Sequence, residues 1–266
     1  MRTRIITALI LGLALIGVLF KGPPWLLRMV FAAFIAAGAW EWAAFLGARA
    51  RPLRLYYVFA IALLAMALGR YAGAAPAFRL IMHVAALWWF VALAWILLAP
   101  QRVPSWAAAL AGPLALAPTW YALTRMAETW PHGRQWVFFA LLLAFGADIG
   151  AYFAGRAFGR VKLAPRVSPG KTWEGVLGGM LLALGVAWGA SAWFGVPASR
   201  LVPLGLLAAA FSVVGDLTES LFKRASGLKD SGTLIPGHGG VLDRIDSVLA
   251  ATPILCTGLL WLGAGL

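Results

Sequence analysis

Nine apolar stretches of near-spanning length succeed one another along the 266 residues, at roughly 3–20, 25–46, 55–69, 79–98, 105–124, 136–157, 175–194, 201–222 and 246–265. A helix needs about 20 largely apolar residues, with a working range of roughly 17–25, to cross the hydrocarbon of a bilayer. Inside that layer the backbone must satisfy its own N–H and C=O groups, which a helix does within itself. The pattern predicts an all-α, polytopic integral membrane bundle of about nine transmembrane helices. Two stretches fit least well. The run 55–69 is short, and 105–124 contains Pro113 and Pro118, which mark a kink or a re-entrant segment as readily as a full span. Composition agrees, with 62% of residues hydrophobic and 12% charged, against about 45–50% and 25% in soluble domains.

The first stretch follows Arg2 and Arg4, as a secretory signal would, but Lys21, Gly22, Pro23 and Pro24 stand where a small-residue cleavage site belongs. It is expected to remain as the first helix. No internal repeat or low-complexity linker divides the chain, so residues 1–266 are expected to form a single integral domain. The lone Cys256 lies in the last apolar run and supports no intramolecular disulfide. Trp25, Trp106, Trp130 and Trp136 fall near run ends, where an amphipathic ring prefers the headgroup level.

The net charge of +13 is carried by basic residues scattered singly between apolar runs, which argues against nucleic acid as a partner and for topology and anionic membrane lipids. If all nine stretches span, 15 of the 22 Lys and Arg collect on one side, among them Arg49, Arg51, Arg54, Arg156, Arg160, Lys162, Lys171, Lys223, Lys229 and Arg244. The positive-inside rule makes that side cytoplasmic. Of nine acidic residues, seven lie at or after Asp148, so the acids gather with the late basic loops.

Two constellations there carry chemistry. Ser168-Pro169-Gly170-Lys171-Thr172-Trp173-Glu174 ends like a P-loop, but Pro165 stands where that motif needs its first Gly, and an apolar helix precedes it where a strand should. What remains is an anion site of hydroxyls, a Lys and helix-start amides, or a simple helix cap with a snorkelling Lys. The second constellation starts with Asp216, Glu219, Ser220 and Lys223, spaced by three and four so that they share a helical face. Ionisable residues at membrane depth are costly unless paired or wet, which makes them functional candidates or members of a structural pair. It continues through Arg224, Lys229 and Asp230 to Pro236-Gly237-His238-Gly239-Gly240, a turn whose glycines let backbone N–H groups approach an anion. Asp243 and Asp246 follow at i and i+3, a pair suited to a hard cation or to the positive end of a helix dipole. Asp148 is a further buried acid that lines the same cavity or pairs with an Arg, and Glu41 has no role legible from the sequence.

The run from Ser220 through Lys223-Arg224, Lys229-Asp230 and Pro236-Gly-His238-Gly239-Gly240-Val-Leu-Asp243-Arg244-Ile-Asp246 resembles the signature of the phosphatidate cytidylyltransferase (CDP-diacylglycerol synthase) family, over about 27 residues without a gap. Ser168-Pro169 and Lys171-Thr172-Trp173-Glu174 resemble a second family segment, except that Gly170 stands where the family usually has Lys. The resemblance is strong from Asp148 to Asp246 and little more than hydropathy before it. It implies transfer of a cytidylyl group from CTP to phosphatidate, with Mg²⁺ and room for a second cation, in a bacterial inner membrane, by a protein compatible with a homodimer. It divides the chain into N-terminal helices, 1–135, and catalytic helices and loops, 136–266. It further implies Asp216, Asp243 and Asp246 as metal carboxylates, with Lys223, Lys229 and Arg244 acting on phosphates. Ser168, Lys171, Thr172, Glu174, Ser220, Arg224, Asp230, His238, Gly239 and Gly240 would bind substrate, with Glu219 and Asp148 behind them. A related CDP-forming enzyme for another lipid acid, or an anionic-lipid transporter, are the competing readings; the absence of matching halves in the sequence weighs against transport.

Single cysteines placed at positions 171 and 229 of a Cys256→Ser background are expected to resist an impermeant thiol reagent in intact cells and to label after permeabilisation. Ready labelling from outside would reverse the orientation.

Overall fold

The computed structural model describes residues 2–47, 51–100, 103–228, 230–232 and 239–264. Nine α-helices run through these: α1 (Arg2–Lys21), α2 (Pro24–Trp42), α3 (Arg51–Tyr71), α4 (Ala75–Leu98), α5 (Ser105–Thr129), α6 (Gly133–Phe158), α7 (Trp173–Phe194), α8 (Ala198–Ala225) and α9 (Leu242–Trp261). A 3₁₀ turn, Ala43–Leu46, extends α2, and it ends at Gly47 with φ of 73°, a left-handed cap that favours glycine. Six of the helices (α2 with its extension, α3, α4, α6, α7 and α8) are long and apolar enough to cross a membrane. The expected helical membrane bundle is therefore what the chain forms.

The two weakest expectations resolve in favour of full helices. The short run 55–69 belongs to a helix of 21 residues, Arg51–Tyr71. α5 continues for 25 residues through both Pro113 and Pro118. A proline removes the N–H that the carbonyl four residues back would accept, and for Pro113 that carbonyl is Ala109. The Tyr57 hydroxyl, from α3, lies 3.4 Å from the Ala109 oxygen, and Trp42 Nε1 donates to the neighbouring Ala108 carbonyl at 2.9 Å. Side chains of adjacent helices thus meet the carbonyls around Pro113, and the helix continues.

One departure from an all-helical reading lies between α6 and α7. β1 (Lys162–Ala164) and β2 (Ser168–Thr172) form a small antiparallel hairpin with Lys162 opposite Thr172 and Ala164 opposite Ser168. Its turn is closed by the Val167 amide donating to the Ala164 carbonyl at 3.1 Å.

α9 occupies the centre. It packs against α2, α4, α5, α6 and α8, and every residue from Ser247 to Cys256 is buried. A helix apolar on all sides is expected to be enclosed, whereas α3 leaves Leu55, Phe59, Leu63 and Met66 on the outside, where lipid chains would cover them.

α6 and α7 make the most extensive helix contact in the bundle. Ala147, Gly150, Ala151 and Ala154 of α6 face Gly175, Gly178 and Gly179 of α7, so the two backbones almost touch. Lipid is as apolar as leucine and offers no hydrophobic gain for pairing, so small residues permit the close van der Waals packing that holds membrane helices together. A Cβ on Gly178 would overlap the Ala154 methyl group and lie 2.8 Å from the Gly150 carbonyl oxygen. Gly185, further along α7, has open space around it. Gly178→Ala is expected to cost about 1–3 kcal/mol through overpacking, and Gly185→Ala to be neutral or stabilising by about 0.5–1 kcal/mol. Thermal unfolding in detergent measures both, and equal shifts would refute the close-packed seam.

Candidate active site

The hairpin brings Lys171 to the ends of the core helices. Thr172 then caps α7, its Oγ1 accepting from the Gly175 amide at 3.2 Å. Glu174 turns back and accepts from the Val161 amide at 3.1 and 3.2 Å, so it clasps the base of the hairpin. With both ends tied, Lys171 Nζ reaches the Asp216 carboxylate at 2.6 Å.

α8 and α9 cross closely at this level. A Cβ on Gly215 would overlap the Asp246 carbonyl and lie 3.0 Å from the Ala250 methyl, so glycine lets the next residue, Asp216, approach Asp246. Asp216, Glu219 and Asp246 each contribute one carboxylate oxygen to a group lying within 4.8 Å of one another. Ser220 donates weakly to Asp216 at 3.4 Å, and Asp246 accepts from the Ser247 amide at 2.8 Å. Glu219 is 2% exposed, and its Oε1 is buried with no hydrogen-bond partner among the described residues. A buried carboxylate oxygen without a donor is costly, and a cation between the three acids would supply the missing partner. An all-oxygen set with neither thiolate nor imidazole suits a hard cation bound at about 2.0–2.6 Å. These three residues can hold a metal ion.

Asp243, expected in that set, is committed elsewhere. Its Oδ1 accepts from Lys223 Nζ at 2.5 Å, and its Oδ2 accepts from the Ser231 hydroxyl at 2.8 Å and the Gly240 amide at 3.0 Å. Glu219 stands in its place because it lies three residues beyond Asp216 on the same face of α8. Lys223 joins the two acids, also donating to Glu219 Oε2 at 3.0 Å. Buried between two carboxylates, Lys223 does not line the cavity beside them. It was expected on a phosphate, and its geometry is that of an internal counter-ion.

That cavity, of about 470 Å³, is bounded by α6, the hairpin, α7, α8 and α9. Gly170, Lys171, Thr172, Asp216, Asp243, Arg244 and Asp246 line it, together with Asp148, Tyr152 and Arg156 of α6. Ser168, Glu174, Ser220, Arg224, Asp230, Gly239 and Gly240 are not on its wall. Arg224 and Asp230 are exposed, and Gly239, with φ of 83°, shapes the turn before α9. Lys229 and His238 lie outside the described residues.

Three participants, Tyr152, Arg156 and Glu41, had no assigned role in the sequence. Arg156, its Nη1 donating to the Tyr152 hydroxyl at 3.0 Å, shares the cavity with Asp148. Their spacing of four and eight residues is the signal that would have found them, since it places all three on one face of α6. Glu41, from α2, is 1% exposed and accepts from the Leu242 amide at 2.7 Å. No local pattern marks it, because its partners lie some 200 residues away.

The comparisons with known proteins cover nearly the whole chain. A phosphatidate cytidylyltransferase of Pseudomonas aeruginosa is 42% identical over 269 aligned positions, spanning 98% of this chain and 97% of that protein. One of Haemophilus influenzae is 36% identical across 95% and 96% of the two chains. One of Brucella suis is 47% identical over 126 positions, 47% of each chain. The model of the family described as cytidylyltransferase matches residues 2–261, from the first helix through the carboxylate cluster to the end of α9, and the chain belongs to that family.

Proposed function

We propose that this chain transfers the cytidylyl group of CTP to phosphatidate, giving CDP-diacylglycerol and pyrophosphate, at the cytoplasmic face of a bacterial inner membrane. The observation that carries the proposal is one cavity, at the end of an apolar bundle, whose wall joins Asp216 and Asp246 of the carboxylate cluster, with Glu219 buried behind them, to Lys171, Arg156 and Arg244. Such a site serves two anionic reactants, one soluble and one anchored in lipid. The names of the near-full-length relatives support CTP and phosphatidate as those two.

A phosphate oxygen of phosphatidate forms a bond to the α-phosphorus of CTP. The bond from that phosphorus to the α,β-bridging oxygen breaks, and pyrophosphate leaves with the electron pair. Asp216, Glu219 and Asp246 would hold Mg²⁺, which when bound polarises phosphoryl oxygens and offsets their charge. The chain's own cations do the remaining electrostatic work. Lys171, a compact point charge at the cavity wall, draws a phosphate group towards the cluster, and Arg156 and Arg244 offer planar forks for others. Lys223, paired with both Glu219 and Asp243, offsets their mutual repulsion. No protein nucleophile is needed, because the lipid phosphate is one.

Purified protein given labelled CTP, phosphatidate and Mg²⁺ is expected to release pyrophosphate and form a labelled lipid; neither product appearing would refute the reading. Asp246→Asn and Glu219→Gln are each expected to lower kcat by about 10²-fold or more while the protein still inserts. Wild-type rates with an unchanged Mg²⁺ response would remove the cluster from the reaction. Lys171→Ala is expected to raise the KM for CTP about tenfold or more through the lost phosphate contact. Because Lys171 now sits on Asp216, its removal should leave the half-saturating Mg²⁺ concentration unchanged or lower. A raised Mg²⁺ requirement with normal KM would instead make Lys171 a support for the metal site.

A further inference from the structure

α9 begins without a cap of its own. The residue before its first turn, Val241, has no side chain that accepts a hydrogen bond, yet this turn carries Asp243 and leads into Asp246. The first amides of a helix need acceptors from elsewhere, and a negative charge there also meets the positive end of the helix dipole. The acceptor comes from Glu41 in α2. Its Oε2 accepts from the Leu242 amide at 2.7 Å and lies 3.2 Å from the Ser231 hydroxyl, which donates a hydrogen bond to Asp243 at 2.8 Å. Asp243 accepts from Lys223, and Lys223 donates to Glu219 of the carboxylate cluster.

Two described glycines between α8 and α9 lie against the same carboxyl group. A Cβ on Gly232 would overlap Glu41 Oε1, and one on Gly240 would overlap Ser231 Oγ and lie 2.5 Å from Glu41 Oε2. Both flanks of the signature loop are therefore glycine where the Glu41 carboxylate fills the space a side chain would take. Glu41 is buried, at the C-terminal end of its helix, and lines no part of the active-site cavity.

We propose that Glu41 is a positioning residue, a helix cap lent by α2 that sets where the first turn of α9 lies and so holds the Asp216, Glu219 and Asp246 cluster in the geometry that takes a cation. This rests on the cluster being the metal site of the proposed reaction. The role is one of reach and hydrogen-bond acceptance. Gln has the same length and keeps an acceptor for the Leu242 amide, whereas Asp keeps the charge but falls short by one methylene.

Full-length Glu41→Gln, Glu41→Asp and Glu41→Ala proteins, purified in detergent, would be titrated with Mn²⁺ and followed by electron paramagnetic resonance without substrates. Mg²⁺ dependence of turnover would be measured in parallel. The Asp and Ala variants are expected to bind Mn²⁺ about tenfold or more weakly, the loss typical of a disturbed support for a metal ligand. Gln should stay within about threefold of wild type, and the half-saturating Mg²⁺ should follow the same order. A residue that only stabilised the fold would reduce the yield of folded protein and leave the Mn²⁺ affinity of the folded fraction at the wild-type value; that result overturns the proposal. Asp equal to or better than Gln overturns it too, since charge would then be what matters, and this comparison decides the matter should the Ala variant fail to fold. Wild-type protein that binds no Mn²⁺ overturns it as well. Wild-type protein that binds Mn²⁺ but makes no CDP-diacylglycerol refutes the reaction and leaves the Glu41 order standing.

Discussion

Carboxylates kept in the interior of a membrane bundle need cations, and the arrangement of this site follows from how that need is met. Lys223 lies between Glu219 and Asp243, and Lys171 lies on Asp216. Removing one partner of a buried pair typically costs about 3–5 kcal/mol, because it leaves a charge unpaired in a poor solvent. The two lysines serve different ends. Lys223 is enclosed on the same helix as Glu219, so its charge is part of the scaffold. Lys171 comes from a hairpin outside the helical core and borders the cavity, so its charge remains accessible to an anion. The hairpin, the one piece of sheet among the described residues, carries that second kind of charge over the ends of the helices.

Close backbone approach gives the acids their positions. Small residues bring α6 against α7 and glycine at 215 brings α8 against α9. The first contact sets Asp148, Tyr152 and Arg156 on the cavity wall, and the second brings Asp216 and Asp246 together. Packing of this kind replaces the hydrophobic force that would join helices in water. The same residues that hold the bundle therefore determine the spacing of the charged groups. Glu41 adds a third tie, from the first half of the chain to the start of α9, so that the site's geometry depends on helices from both halves.

Much of the architecture was legible in the sequence, and its errors have identifiable causes. Every apolar run became a helix, and the ambiguous one, with Pro113 and Pro118, became a continuous helix in which Tyr57 of α3 meets the carbonyl that Pro113 leaves free. The hairpin was not foreseen, since a strand of three residues paired with one of five leaves no alternation long enough to read. At the site, the spacing of Asp216, Glu219, Ser220 and Lys223 marked a common helical face. The gathering of Glu219 with Asp246, where Asp243 had been expected, did not follow from that spacing.

The order of apolar runs and the helical faces were determined by the sequence alone, because each depends on residues within one or two helical turns of one another. Which acid meets which cation, which arginine shares the cavity, and which distant carboxylate caps α9 were decided only by tertiary structure. Asp243 could serve equally as a ligand or as a partner of Lys223 until the crossing of α8 and α9 placed Lys223 2.5 Å from it. Glu41 was an isolated acid in an apolar helix until folding set it beside an uncapped helix start. The physical reason is the same in both cases: a charged side chain settles with whatever partner the packed backbones bring within hydrogen-bond reach, and linear spacing does not encode that distance.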